Sequence, residues 1–154
     1  MTELDKYPGY LIRRLHQIAV GVFLTETERS GLTPIQFAAL QAVHLAPNVD
    51  QKTLANTIGL DTSTTGGVID RLEIRGLLDR NASENDRRVR LLRTTKEGEK
   101  VLKDVMPLMM AAQQRILSPL SATDQKAFMK FLTKLVNENN ELSRVPSNKK
   151  ISQV

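Results

Sequence analysis

The sequence predicts a mainly α-helical fold with one small β-hairpin, and three observations carry that prediction. Between Gln51 and Thr95, two short helical signals joined by a tight glycine turn run directly into an arginine-rich hairpin. On both sides of that stretch, apolar residues recur at helical spacing. The chain has 154 residues, 40% of them hydrophobic, enough for one domain or one subunit of an intertwined dimer. Helix, turn, helix and hairpin in that order read as a winged helix-turn-helix, with N- and C-terminal helices left over for dimerisation. The expected organisation is an N-terminal dimerisation helix in residues 1–32, a DNA-binding lobe in 33–95, C-terminal dimerisation helices in 96–142 and a mobile tail in 143–154.

The first helix is expected over about Pro8 to Glu28, with Leu11, Leu15, Ile18, Ala19 and Val22 as its apolar face. On a helical wheel Arg14 and Tyr7 fall on one edge of that face, His16 on the other beside Ile12 and Phe23, and Arg13 points to solvent. Thr33-Pro34-Ile35-Gln36 reads as a capping-box start, and Phe37, Leu40, Val43 and His44 carry the next helix toward Pro47. Leu54, Ala55 and Ile58 place apolar groups on one face of a short helix, and Gly59 supplies a residue able to adopt positive φ. Asp61 or Thr62 then caps a second helix with Val68, Ile69 and Leu72 buried. Gly76 ends it.

Leu77 to Arg80 reads as a short strand, Asn81 to Asp86 as a polar turn and Val89 to Thr94 as the returning strand. A long helix starts at Thr95, with Val101, Val105, Leu108, Ala112 and Ile116 as its stripe and a kink expected at Pro107. Ser121 to Asp124 opens the last helix, striped by Phe128, Leu132, Leu135 and Leu142. From Ser143 the chain is polar, with Pro146 and Lys149-Lys150.

In a helix-turn-helix the N-terminal residues of the second helix enter the major groove. Ser63 and Thr64 are therefore the leading base-reading candidates, with Thr65 and Arg71 beside them; the alternative is that the hydroxyls merely extend the N-cap. From Arg80 to Arg93 five arginines face two acids, a local excess of three positive charges suited to a phosphate backbone or a narrow minor groove. A formal charge of +5 likewise favours a polyanionic partner. No apolar run reaches the roughly 18 residues of a spanning helix, and the start from Met1-Thr2 lacks a signal-peptide core, so a cytoplasmic location without membrane association is expected. With no cysteine, thiol oxidation and thiolate zinc binding are unavailable, and the two histidines, His16 and His44, are too few for a convincing transition-metal sensor. No carboxylate pair, Ser-His-Asp set or phosphate loop suggests catalysis, and no cofactor or metal is expected.

These residues resemble the MarR family of dimeric bacterial transcription regulators. The resemblance rests on Asp70-Arg71-Leu72-Glu73, the Gly76-Leu77-Leu78-Asp79-Arg80 run, the wing Asp86-Arg87-Arg88 and the Thr94-Thr95-Lys96-Glu97-Gly98 exit, and it covers nearly the whole chain. It implies an Asp86–Arg88 ion pair in the wing and a minor-groove contact from Arg87 or Arg90. Two positions depart from the pattern: Ser83 stands where the family's wing usually carries Asp or Asn, and Gly66-Gly67 where a larger or basic side chain is common. Each interior glycine costs a helix about 1 kcal/mol relative to alanine, so the pair suggests either close backbone approach to DNA or a loosely held helix.

The resemblance also implies interlocked terminal helices, two recognition helices meeting successive major grooves, and a ligand pocket between the dimer helices and the DNA lobe where aromatic acids bind. A basic residue bordering an aromatic surface can clamp a carboxylate, which makes Tyr7, Tyr10, Arg14 and His16 the candidate effector-binding residues; the alternative is that Arg14 and His16 serve the dimer interface. The reading is a homodimeric, ligand-responsive repressor released from a pseudo-palindromic operator by a small aromatic carboxylate. An effector-independent architectural DNA-binding protein, or a winged-helix protein-interaction module, would use the same lobe.

Overall fold

The computed structural model describes residues 3–148 and 151–152; the expectations placed on Met1-Thr2 and Lys149-Lys150 fall outside them. Six α-helices and three strands follow in the order α1 (Pro8–Glu26), α2 (Pro34–Leu45), β1 (Val49–Asp50), α3 (Gln51–Ile58), α4 (Thr62–Ile74), β2 (Leu78–Ala82), β3 (Arg90–Thr94), α5 (Lys96–Leu117) and α6 (Ala122–Glu138). Among the described residues no helix is long and apolar enough to cross a membrane.

The helices of the central lobe begin where short polar side chains satisfy free N–H groups. Thr33 and Gln36 form the full capping box: the Thr33 hydroxyl accepts the Gln36 N–H at 3.3 Å and the Gln36 side-chain oxygen Oε1 accepts the Thr33 N–H at 3.0 Å. Asp50 caps α3 through the Thr53 N–H at 3.0 Å, and Asp61 caps α4 through the Thr64 N–H at 2.8 Å. Left-handed glycines end what these caps begin: Gly59 follows α3 with φ 68°, and Gly76 stands at φ 68° after α4.

Two outcomes differ from the sequence reading. The hairpin is a three-stranded antiparallel sheet in the order β1-β3-β2, because Val49 and Asp50 pair with Leu92 and Leu91. A two-residue strand is too short to show alternation, so only its long-range partner defines it. The last helix stops at Glu138 and Leu142 belongs to a separate 3-10 turn, Asn140–Leu142. Beyond it the described tail lies back on α6: the Asn140 side chain pairs with the backbone of Ser147 at 2.9 and 3.0 Å, and the Asn137 side chain with that of Ile151 at 2.8 and 2.9 Å.

Leu40, Val43, Leu54, Ile69, Leu72, Leu78, Leu92, Leu102 and Val105 converge into one core where α2, α3, α4, the sheet and the start of α5 meet. The helix α5 runs through Pro107 without interruption and packs against α1. Arg115 of α5 donates to Glu26 of α1 at 2.7 Å, and Phe23 of α1 meets Phe37 of α2 at 5.9 Å between ring centroids.

The junction between wing and α5 is closely packed. Thr95 caps α5 through the Gly98 N–H at 3.0 Å and donates its hydroxyl to the Gly76 carbonyl at 2.6 Å. A Cβ on Gly98 would run into the backbone carbonyl of Leu77 and sit 2.9 Å from Thr94 Cγ2. Gly98→Ala should therefore lower unfolding stability by about 1–3 kcal/mol, the usual cost of overpacking, read by urea denaturation; wild-type stability would mean the junction yields.

Candidate nucleic-acid interface

Helix α4 divides cleanly. Thr65, Val68, Ile69 and Leu72 are buried, while Ser63, Thr64, Gly67, Asp70, Arg71 and Ile74 are exposed. Thr65 thus corrects the sequence reading, which set it among the DNA contacts: it is fully buried and its hydroxyl donates to the Asp61 carbonyl at 2.9 Å. Its position on the wheel beside Val68, Ile69 and Leu72 was the available signal.

Ser63 and Thr64 sit at the exposed start of the helix, as a base-reading role requires, and Arg71 stands two turns along the same side. Thr64 also donates its hydroxyl to the second oxygen of Asp61 at 2.6 Å. That hydrogen bond, with the Thr64 N–H, holds the Asp61 carboxyl below its ordinary range, so the cap is an anion throughout the neutral range. The Gln51 amide donates to the Thr62 carbonyl at 3.0 Å, tying α3 to the start of α4.

Arg80, counted in sequence with the wing cations, faces the protein instead. From β2 its guanidinium donates to Glu73 at 2.7 and 3.1 Å and also to Asp70, bridging two carboxylates one turn apart on α4. Those two carboxylates, Asp70 first, raise its pKa above the usual guanidinium value. Arg93 donates to the Asn48 side chain. Arg75, not singled out from sequence, donates to the carbonyls of Ser30 at 2.6 Å and Gly31 at 3.0 Å, fastening the end of α4 to the turn before α2. Acids spaced three apart on a helix, followed by a basic strand residue, were the signal for Arg80; nothing local announced Arg75.

The wing turn is held by its own backbone, with the Ser83 N–H donating to Val89 and the Val89 N–H to Asp86, both at 2.9 Å. Ser83 accepts the Asn85 N–H at 3.3 Å, so its hydroxyl serves as the short polar acceptor at the turn start. The expected Asp86–Arg88 ion pair is not what forms: Asp86 accepts the backbone N–H of Arg88 at 2.9 Å. That satisfies the turn through the main chain and leaves the guanidinium outside. Arg87, Arg88 and Arg90 are all exposed, and none has an ion pair among the described residues.

The effector candidates lie at the start of α1, Tyr7 as its N-cap and Tyr10, Arg14 and His16 in its first three turns. Tyr7 and His16 are exposed, and Tyr10 is half-buried; Arg13 is solvent-exposed, as expected, with its guanidinium 5.3 Å above the Tyr10 ring. Arg14 is exposed, and its one side-chain partner among the described residues is Gln17 at 3.3 Å. A single chain does not enclose these four. An open hollow of about 570 Å³ lies elsewhere, between Thr57, Ile58 and Gly59 after α3 and Val136, Asn137, Asn140 and Ile151 at the chain's end. Among the described residues no group of three or more histidines and carboxylates could hold a metal ion.

A helix-turn-helix with short hydroxyls at the exposed helix start, flanked by a wing of unpaired arginines, defines a DNA-binding transcriptional regulator of the winged-helix class. Comparison with known proteins takes this further. Residues 30–89 match the model of the MarR family. Over 110 residues, 71% of this chain and 82% of the relative, the sequence is 33% identical to the transcriptional regulator HosA of Escherichia coli. The structure of the PcaV transcriptional regulator from Streptomyces coelicolor in complex with its natural ligand is similar with a TM-score of 0.81 at 34% identity, covering 88% of this chain and 96% of that one. Bordetella bronchiseptica BpsR, whose DNA binding is regulated by 6-hydroxynicotinic acid, gives a TM-score of 0.83 at 26% identity, over 89% and 98% of the two chains. The chain belongs to the MarR family, and it is a regulator rather than an enzyme.

Replacing Arg87 and Arg88 together with alanine should weaken binding to every duplex sequence and make the slope of log affinity against log salt shallower by about 2, since each lost phosphate contact retains a counterion. An unaltered slope in fluorescence anisotropy would take the wing out of the interface.

Proposed function

We propose that the protein is a homodimeric repressor that holds a pseudo-palindromic operator and releases it when a small aromatic carboxylate binds. The observation that carries this reading is a division of surfaces: the exposed hydroxyl and arginine side chains belong to the central lobe, while apolar faces of both terminal helices lie uncovered. Ile12 of α1 is 58% exposed, Phe131 of α6 is 61% exposed and Leu135 is 54% exposed, in company with Leu11, Ile18 and Val136. A second copy is the economical cover for stripes of that length on both terminal helices. The dimer would set two α4 helices into successive major grooves, roughly 34 Å apart.

Arg14 is the anchor for the carboxylate. No acid among the described residues pairs with it, and it lies within a helical turn or two of Tyr7 and Tyr10, whose rings suit the body of an aromatic ligand. His16, on the opposite edge of the apolar face, completes the set. The regulation of BpsR by 6-hydroxynicotinic acid supports the ligand class. The switch is a population shift: the ligand favours dimers whose recognition helices are wrongly spaced, so the two half-sites cannot be engaged together. A coupling of about 1–3 kcal/mol weakens DNA binding roughly 5- to 150-fold.

The test is anisotropy of an operator duplex at about 150 mM salt, near physiological ionic strength, with a panel of benzoates, hydroxybenzoates and hydroxynicotinates. Release by one of them from the wild type, with unchanged operator affinity but no release from Arg14→Ala, is the expected result. Equal release from the variant would remove Arg14 from the site, and indifference of the wild type to every compound would favour an effector-independent DNA-binding protein.

A further inference from the structure

Two adjacent glycines in a recognition helix weaken it relative to alanine, and in this chain they have different explanations. Gly66 has a reason inside the protein: a Cβ there would sit 2.9 Å from Nε2 of Gln51, the amide that fastens α3 to the Thr62 carbonyl. Gly67 has none. Its φ is not among the positive values, and a Cβ built on it would meet nothing within 4 Å. Neither of glycine's usual structural uses, a left-handed turn or a close internal contact, applies.

What surrounds Gly67 is the DNA-facing side of α4. Ser63 and Thr64 lie one turn before it, Asp70 and Arg71 one turn after it, and the buried residues Thr65, Val68, Ile69 and Leu72 occupy the opposite face. Serine and threonine hydroxyls stand one carbon from the backbone, so they reach base edges only if the helix itself comes close. A side chain at position 67, between them and Arg71, would hold the helix away from the groove floor.

We propose that Gly67 is a specificity-determining position of the operator interface: its bare backbone lets α4 seat deeply in the major groove, with a thymine 5-methyl group in the space a side chain would fill. This rests on the reading of α4 as the groove-entering helix. It also fixes what the neighbouring hydroxyls read. The Thr64 proton is committed to Asp61, so outward Thr64 can only accept, which matches the amino groups of adenine or cytosine; the Ser63 hydroxyl, whose backbone N–H serves Asp61, has no side-chain hydrogen bond among the described residues and can do either.

The experiment selects duplexes from a random pool with the wild-type protein, then compares wild type, Gly67→Ala and Gly66→Ala for melting temperature and for affinity to the best selected duplex and to its scrambled counterpart. Gly67→Ala should melt higher, bind the scrambled duplex as the wild type does and bind the selected duplex about tenfold more weakly, within the range of one base contact. Changing the critical thymine to uracil should weaken the wild type and leave Gly67→Ala unaffected. Undiminished binding of the selected duplex by Gly67→Ala overturns the proposal, as does a lowered melting temperature with equal loss on both duplexes, which would place the glycine's role in folding. Failure of the wild type to enrich any duplex would remove the operator reading itself, and this proposal with it.

Discussion

The Arg80 bridge to Asp70 and Glu73 is the contact on which the geometry of this lobe depends. It joins the first wing strand to α4, so helix and wing of the DNA-binding lobe are fixed to each other. It also neutralises two carboxylates carried on or beside the helix face that approaches phosphates, where an uncompensated negative charge would oppose binding. With Arg80 half-sheltered and its fork filled, the cations the lobe leaves exposed are Arg71 and, at the wing tip, Arg87, Arg88 and Arg90, none of which has an ion pair among the described residues. The basic residues thus divide into those that build the lobe, Arg75, Arg80 and Arg93, and those that the lobe presents.

Much of this was legible in the sequence because the decisive interactions are local. Thr33 with Gln36, Asp61 with Thr64 and Thr95 with Gly98 lie within one turn of each other, and such pairs mark helix starts without knowledge of the fold. What escaped were features set across sequence distance. The strand Val49–Asp50 exists only because β3 returns beside it, some forty residues later. Arg80 read as a wing cation until its partners on α4 were in place, and the Asp86–Arg88 pair expected from family resemblance gave way to a backbone N–H contact. Thr65 was misassigned by composition, as one of four hydroxyl-rich residues, when helical phase would have sent it inward. The effector candidates were read from a single helical wheel: Tyr10, Arg14 and His16 lie on α1 with Tyr7 as its N-cap, and one chain does not enclose them.

The fold supplies a mechanical route from one end to the other. Helix α5 begins beneath the wing, where Gly98 packs on Leu77 and Thr95 bonds the Gly76 carbonyl, and it ends against α1 through Arg115 and Glu26. Because the lobe core includes Leu102 and Val105 of that same helix, a ligand-driven tilt of α5 relative to α1, as proposed, would carry α4 with it. In the proposed dimer a small change of tilt becomes a larger change in separation of the two lobes, and a groove period of about 34 Å makes separation the quantity the operator senses.

A hydroxyl-radical footprint on the selected operator tests that central claim most directly. Two protected regions related by a dyad, their centres one helical turn or a small multiple apart and each flanked by minor-groove protection from the wing, are the predicted pattern. A single short protected region, of the length one lobe can cover, would contradict it.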